Sequence, residues 1–167
     1  MLFRSAADGQ TVSFARLEGR LVVFCYPWTG RPGASNPPGW DDIPGAHGST
    51  AEAEGFRDLF TAFADLDVAV FGLSTQATDY QRELAERLGL GYALVSDTDF
   101  SFARALRLPV FAAGGERYLK RLTLVLRNGR IEFVFYPVHP PDVHAREVLA
   151  WHAAKVGYAV ESRLRGK

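Results

Sequence analysis

The stretch Leu21-Val-Val-Phe-Cys-Tyr26 is a continuous apolar run of strand-forming residues, and it stops at Pro27. An apolar run without polar alternation is typical of a strand that is covered on both faces, as in the sheets of α/β proteins. A second run of this kind spans Val68–Leu73, and a shorter one spans Tyr92–Val95. These runs predict the buried strands of a sheet.

Amphipathic segments separate the apolar runs. Phenylalanines at positions 56, 60 and 63 form one helical stripe, and Ser49-Thr-Ala-Glu52 before them matches the capping box that begins many helices. Thr78–Leu88 predicts another helix, with Gly89 as its C-cap. A last helix is predicted over 142–155, with Val143 and Val148 among its core residues.

The remaining elements follow from turn chemistry and short apolar patterns. Asn128-Gly129 is a strong hairpin signal, and it predicts that strands over 119–126 and 130–136 pair. A short strand over 11–15 and one or two helical turns over 102–106 complete the order β-β-α-β-α-β-(α)-β-β-α. Parallel β-α-β units followed by a hairpin and a helix predict a thioredoxin-like α/β fold, a mixed sheet flanked by helices, as a single domain over 1–167.

Composition excludes several function classes. Nineteen basic residues balance nineteen acidic ones among 167, so no net field draws the protein to nucleic acid or to an anionic membrane. We find no apolar run of membrane-spanning length, and the first nine residues lack the apolar core of a signal peptide. With Cys25 as the single cysteine, no internal disulfide can form, and we expect a cytoplasmic protein.

Between Trp28 and Gly48 the pattern changes to a proline- and glycine-rich stretch without periodicity. A loop of this length inside a compact domain is usually functional or disordered. Trp28 and Trp40 within it favour packing. They could serve as packing anchors, wall an active-site pocket or form a dimer surface.

In their order along the chain, several motifs resemble the bacterioferritin-comigratory (Q-type) branch of the peroxiredoxins, over roughly residues 8 to 152. The motifs are Phe24-Cys-Tyr-Pro27, Pro44-Gly-Ala-His-Gly-Ser-Thr-Ala-Glu52, Phe56-Arg-Asp58, Gly72-Leu-Ser74, Ser96-Asp97, Arg121-Leu-Thr-Leu-Val125 and Asn128-Gly-Arg-Ile131.

This resemblance implies a thiol peroxidase whose attacking cysteine is replaced by Ser49, with Glu54 where a resolving cysteine often stands. In the first turn of a helix, free amides and a nearby guanidinium stabilise a thiolate. Arg121 is the expected guanidinium. The implied catalytic set further contains Thr50 and Pro44. Candidates for the pocket or for substrate contact are Pro27, Thr29, His47, Glu52 and, as a weaker second guanidinium, Arg57.

The resemblance also implies the partners of the protein. Hydrogen peroxide or a small organic hydroperoxide would be the substrate, and an external thiol such as thioredoxin or glutathione would be the reductant. No metal or organic cofactor is implied, and the protein is expected to be a monomer or a homodimer. Serine cannot form a sulfenic acid, so the printed chain is expected to be inactive. An engineered Cys-to-Ser change, which the otherwise intact pocket favours, and a natural variant both fit.

Other interpretations of the same residues stay open. Considered alone, Ser49 is consistent with an ordinary helix N-cap, and Cys25 is consistent with an inert core residue. His47 near Ser49 suggests a hydrolase, although the Gly-x-Ser-x-Gly elbow is missing. His139 and His144 are too few ligands to predict a metal site. The main alternative is a non-catalytic redoxin-fold binding or regulatory module in which Ser49 is native.

Overall fold

The computed structural model describes residues 3–5 and 9–165. Its strands are β1 (Phe3–Ser5), β2 (Thr11–Val12), β3 (Arg20–Cys25), β4 (Val68–Ser74), β5 (Ala93–Ser96), β6 (Val110–Ala113), β7 (Glu116–Leu119), β8 (Leu122–Arg127) and β9 (Arg130–Phe135). Its α-helices are α1 (Ser49–Asp58), α2 (Phe60–Asp65), α3 (Thr78–Leu88), α4 (Ser101–Leu106) and α5 (His144–Arg165). The prediction that a signal peptide is absent concerns the first nine residues. Of these, residues 1–2 and 6–8 lie outside the described part of the chain.

Seven of these strands form one mixed sheet in the order β2-β1-β5-β4-β3-β8-β9. Strands β3, β4 and β5 run parallel, while β8 is antiparallel to β3 and to β9. The prediction of a mixed sheet flanked by helices is therefore confirmed. In the part of the chain that the structure describes, no helix is long and apolar enough to cross a membrane.

The central strand β3 is apolar throughout because both faces of the sheet are covered. Val22, Phe24 and, directly after the strand, Tyr26 pack in a core with residues of α1, α3 and α5. Leu21, Val23 and Cys25 point into a second core that includes residues of α4 and β8. The two-residue repeat of a strand divides the run between these two cores.

Two predicted elements are interrupted in the structure. The helix expected over the phenylalanine stripe is interrupted at Leu59, which separates α1 from α2. Phe56 and Phe63 are buried, while Phe60 is partly buried. The strand expected over 11–15 covers Thr11–Val12 and gives way to a 3₁₀ turn that buries Phe14.

The predicted strand over 119–126 was also wrong as a single element. Leu119 ends β7, which pairs with β6 in a separate hairpin, and β8 starts at Leu122. Gly114 and Gly115 form the turn of the new hairpin, with φ of 56° and 83°. Two positive φ values favour glycine, so this pair was a hairpin signal that the analysis of the sequence missed.

The other predicted hairpin is confirmed at Asn128-Gly129, where both residues have positive φ. The last helix begins at His144, later than expected. The prediction that Val143 is a core residue is therefore wrong. Val143 lies in the turn before the helix, and 41% of its surface is exposed. Val148 is fully buried, as expected.

The buried residue His152 on α5 makes the stability of the fold sensitive to acid. Its side chain is fully buried, and neither ring nitrogen has a hydrogen-bond partner among the described residues. Burial, with the positive charge of Arg20 nearby, lowers the pKa of His152 from 6.5 to about 4. Between these pH values the unfolded chain binds a proton that the native protein does not, so stability falls as the pH falls.

We predict that His152→Leu removes part of this acid sensitivity. Between pH 7 and pH 5, the free energy of unfolding of the printed protein should fall by about 2 kcal/mol more than that of the variant, because each pKa unit is worth about 1.4 kcal/mol. Urea unfolding at both pH values measures this difference. The exposed residue His139 provides the control His139→Gln. Equal pH dependence in the printed protein and His152→Leu would contradict the prediction.

Candidate active site

Ser49 is the first residue of α1, and 3% of its surface is exposed. The N-cap is Gly48, whose φ is 101°. A Cβ atom on Gly48 would lie 2.3 Å from Cγ of Pro141, so both the backbone conformation and the contact require glycine. Ser49 therefore sits in the first helical turn, and its side chain is turned away from a capping position.

The predicted capping box is wrong. Within the described residues, the N-cap position of α1 makes no side-chain hydrogen bond, and Ser49 and Glu52 both contact Arg121 instead. Ser49 Oγ accepts a hydrogen bond from Arg121 Nη2 at 3.0 Å. A buried guanidinium offers a stronger partner to both side chains than a backbone amide does, because it is charged and has several donors.

Arg121 lies between β7 and β8 and is 5% exposed. Its Nη1 forms a salt bridge with Glu52 Oε2. Its Nη2 points at the end of the long loop, where it also donates to the carbonyl oxygen of His47 at 3.1 Å. These contacts hold the guanidinium against the start of α1.

Glu52 is completely buried. Burial raises the pKa of its carboxyl to about 7, and the charge of Arg121 opposes this rise. Its second oxygen, Oε1, has no hydrogen-bond partner among the described residues. Removing either partner of such a buried pair leaves an uncompensated charge, which makes Glu52 a structural requirement for the position of Arg121.

A pocket of about 330 Å³ opens beside Arg121. Most of its wall is apolar, and it is lined by Ile43, Pro44, Gly45, Phe111, Lys120, Arg121, Tyr136, Pro137 and Val138. Pro44 thus lies in the pocket wall, and Thr50 is half-buried in the first turn of α1. A positive helix terminus and a guanidinium beside an apolar cavity can stabilise an anion at the side chain of residue 49.

The long loop supplies one wall of this region. Trp40 is buried against Phe111 and Tyr118, with ring centroids 5.6 Å and 4.8 Å away, and Trp28 packs on Trp40. The tryptophans are therefore packing anchors, as the composition favoured. Phe111 packs against the loop and also lines the pocket. The β6–β7 hairpin, which the sequence did not lead us to predict, therefore contributes to the site.

Three candidates lie elsewhere. The hydroxyl of Thr29 donates to Gln76 Oε1 at 3.1 Å, which anchors the start of the loop to the end of β4. Arg57 pairs with Asp58 and donates to the carbonyl of Leu88, so its guanidinium faces the end of α3. Pro27 is buried directly after β3.

The hydrolase interpretation has no geometric support. The ring of His47 is exposed, and its Nε2 lies 2.9 Å from Asp41 Oδ1. The hydrogen-bond partner of Ser49 Oγ is a guanidinium, which donates hydrogen bonds and offers no acceptor to serve as a general base.

Among the described residues, Cys25 and the histidine side chains do not line the pocket, and His47 contributes only its backbone carbonyl to the contacts of Arg121. Cys25 is fully buried, and burial raises the pKa of its thiol far above the usual value, the sign of an inert core cysteine. Over residues 3–5 and 9–165, no group of three or more His, Cys, Asp or Glu side chains could hold a metal ion. Thr123 and Glu147 hold the ring of His144 in the interior.

The sequence is similar to several peroxiredoxins. It is 27% identical over 144 residues to the chloroplastic peroxiredoxin Q of Oryza sativa subsp. japonica, covering 85% of this chain and 58% of the rice protein. It is 25% identical over 146 residues to a putative peroxiredoxin bcp of Coxiella burnetii, covering 85% and 87%. This chain thus spans somewhat more than half the length of its plant relatives.

Solved structures agree with the fold. Peroxidoxin BcpB from Mycobacterium tuberculosis superposes with a TM-score of 0.71 at 26% identity, covering 92% of each chain. A cysteine-to-serine mutant of PrxQ from Xylella fastidiosa gives a TM-score of 0.75 at 21% identity, covering 93% of this chain and 89% of that one. The fold is therefore thioredoxin-like. Because the Redoxin family model matches residues 2–149, the chain belongs to the redoxin family, and within it resembles the Q-type peroxiredoxins.

Proposed function

We propose that the protein carries the active site of a thiol-dependent peroxidase of the peroxiredoxin type, with Ser49 in the place of the attacking cysteine. The observation that carries this proposal is the contact of 3.0 Å between Ser49 Oγ and the buried guanidinium of Arg121 at the start of α1. A cysteine sulfur at this position would meet both features that lower a thiol pKa, the helix terminus and a fixed cation.

With a cysteine at position 49, the reaction would proceed in two steps. The thiolate attacks the nearer peroxide oxygen, the O–O bond breaks, and the leaving oxygen takes a proton to become water or an alcohol. The sulfur is oxidised to a sulfenic acid. An external thiol then condenses with the sulfenic acid, releasing water, and a second thiol reduces the resulting disulfide. Arg121 would stabilise the thiolate and the negative charge that develops on the leaving oxygen.

The printed chain lacks the group that this cycle needs. Serine remains protonated at neutral pH, and its oxygen has no stable state equivalent to a sulfenic acid. Cys25 cannot replace it because its thiol is fully buried and its thiolate is strongly disfavoured. We therefore propose that the printed form does not reduce peroxides.

The partners follow from the same reaction. Glu54 stands where a resolving cysteine often lies, so an external thiol such as thioredoxin or glutathione would reduce the sulfenic acid. The single cysteine fits a reducing compartment, so we propose a cytoplasmic protein, and the resemblance to peroxiredoxins suggests a monomer or a homodimer.

The pocket supports an organic hydroperoxide as the preferred substrate. Hydrogen peroxide would gain nothing from apolar walls, whereas the apolar body of an alkyl or aryl hydroperoxide would bury against them. Tyr136, Val138 and Phe111 supply such walls beside Arg121.

A second function rests on the missing thiol. If the gene encodes serine at position 49, the printed chain is native and has no reactive cysteine. The protein would then be a non-catalytic redoxin-fold binding or regulatory module that uses the same pocket. The codon for residue 49 in the source gene distinguishes a native serine from an engineered one.

We predict that Ser49→Cys turns the protein into a peroxidase. Its consumption of peroxide with dithiothreitol should exceed that of an ordinary exposed thiol by about 30-fold or more, because a lowered pKa alone raises the thiolate fraction at pH 7 by about that factor, and the printed form should show none. Peroxide loss followed over time measures this. Ser35→Cys, which places a thiol in the exposed part of the loop, is the matched control. A folded Ser49→Cys protein no faster than Ser35→Cys would favour the binding module.

Within the Ser49→Cys background, we predict that Arg121→Lys raises the pKa of the introduced thiol. Arginine pairs with Glu52 and contacts residue 49 through two donors of one planar group. The single ammonium group of lysine cannot reproduce both contacts. The rate of iodoacetamide labelling as a function of pH gives this pKa. Thermal unfolding of both proteins separates the effect from a loss of folding. An unchanged pKa would show that Arg121 does not stabilise the thiolate.

A further prediction concerns substrate preference. In the Ser49→Cys background, Tyr136→Ser should lower kcat/KM for cumene hydroperoxide by about fivefold, because it removes apolar wall, and leave kcat/KM for hydrogen peroxide unchanged. Tyr136 is 50% exposed, so the change should not disturb folding. Ile131→Ser, an exposed apolar residue of β9 outside the pocket, is the control. Equal losses for both peroxides would contradict an apolar substrate subsite.

A further inference from the structure

A second pocket, away from Ser49, lies between α4 and the β6–β7 hairpin. Its volume is about 260 Å³, and it is lined by Phe100, Ala103, Arg104, Arg107, Leu108, Val110 and Arg117. The base is apolar and the three arginines are exposed. An apolar cavity with a few converging polar groups is the usual form of a small-molecule site.

The three arginines form no salt bridge within the described residues, so no carboxylate of the protein pairs directly with their charges. Asp99 carries a carboxylate that the charge of Arg104 affects. Hydrogen bonds from Ser101 lower the pKa of Asp99, and the charge of Arg104 lowers it to a smaller extent. Glu116 precedes Arg117 in β7, where alternation directs neighbouring side chains to opposite faces. The pocket therefore has an excess of positive charge, which an anion would neutralise.

The end of α4 does not itself need these charges. Leu108 N donates to Ala103 O at 2.8 Å and Arg107 N donates to Arg104 O at 3.2 Å, so backbone amides satisfy the last carbonyl groups. Arg107 also has a φ of 53°, in the left-handed region where glycine is favoured after a helix. Arginine at this position is thus unfavourable for the backbone and places a cation in the pocket.

One wall suits a flat group. The guanidinium of Arg117 lies 5.3 Å from the ring centroid of Phe100, and Phe100 too has a left-handed φ, of 56°. The guanidinium already covers one face of the Phe100 ring, so an aromatic or other planar body would pack beside this pair, against Leu108 and Val110, and its charged head would meet the arginine side chains. Guanidinium groups match the paired oxygens of phosphate and carboxylate.

We propose that this pocket binds a small organic anion, with a flat apolar body against Phe100, Leu108 and Val110 and a phosphate or carboxylate head group on Arg104, Arg107 and Arg117. The proposed binding is independent of residue 49 and of peroxidase activity. It assigns a function to the arginines of α4 and β7, which the chemistry at Arg121 does not use.

Calorimetric titration of the printed protein with phenyl phosphate, benzoate and benzyl alcohol tests the proposal. At least one charged probe should bind with a dissociation constant of about 1 mM or lower. The tighter of the two identifies the head group, and binding should weaken as salt is raised. Benzyl alcohol should not bind. Failure of both charged probes, or equal binding of benzyl alcohol, would overturn the proposal.

Variants locate the site. Arg107→Gly should weaken binding by about tenfold, since it removes one charge-assisted contact, and the melting temperature should not fall because glycine accepts the left-handed backbone. Arg117→Gln should act in the same direction. Arg146→Gln, on the exposed side of α5, and Lys120→Gln, in the pocket beside Arg121, are controls that should leave affinity unchanged. Loss of binding in Lys120→Gln with retention in Arg107→Gly would place the anion in the other pocket and refute this one.

Discussion

The buried ion pair between Arg121 and Glu52 is the interaction on which the site depends. It joins the β7–β8 junction to the first turn of α1, segments that are 69 residues apart in the chain. Burying two charges is costly, and only close pairing with further hydrogen bonds offsets the cost. Arg121 obtains these bonds from Ser49 and the carbonyl of His47, so the same guanidinium contacts both the loop end and the side chain of residue 49.

The sheet places this pair where two apolar layers meet the long loop. Strand β3 carries one core on each face, and the chain leaves it at Tyr26 to enter the loop. Gln76, after β4, holds the start of the loop through Thr29, and the β6–β7 hairpin holds its middle through Trp40. The loop is therefore fixed at both its start and its middle before it reaches Ser49.

The fold and the site point to different conclusions about chemistry. The fold is that of the redoxins, and a fold alone is compatible with many activities. What distinguishes this chain is a site whose cation, buried carboxylate and helix terminus are in place around a hydroxyl instead of a thiol. Preorganisation for an anion and the capacity for nucleophilic attack are separable properties, and the proposed function treats them separately.

Local patterns in the sequence determined β3, β4, β5 and β9, most helices and the 128–129 turn, because apolar periodicity and turn chemistry act over a few residues; β1, β6 and β7 were not predicted. The motifs also singled out Ser49 and Arg121. Only the tertiary structure decided which side chains contact each other in the site. Glu52 fits a capping box by spacing, yet it pairs with Arg121 because the fold buries both. Arg57 and Thr29 face other neighbours for the same reason, and the wall at Phe111 exists because a hairpin folds back onto the loop. Long-range contacts of this kind depend on which surfaces the packed layers bring together, and no local spacing encodes them.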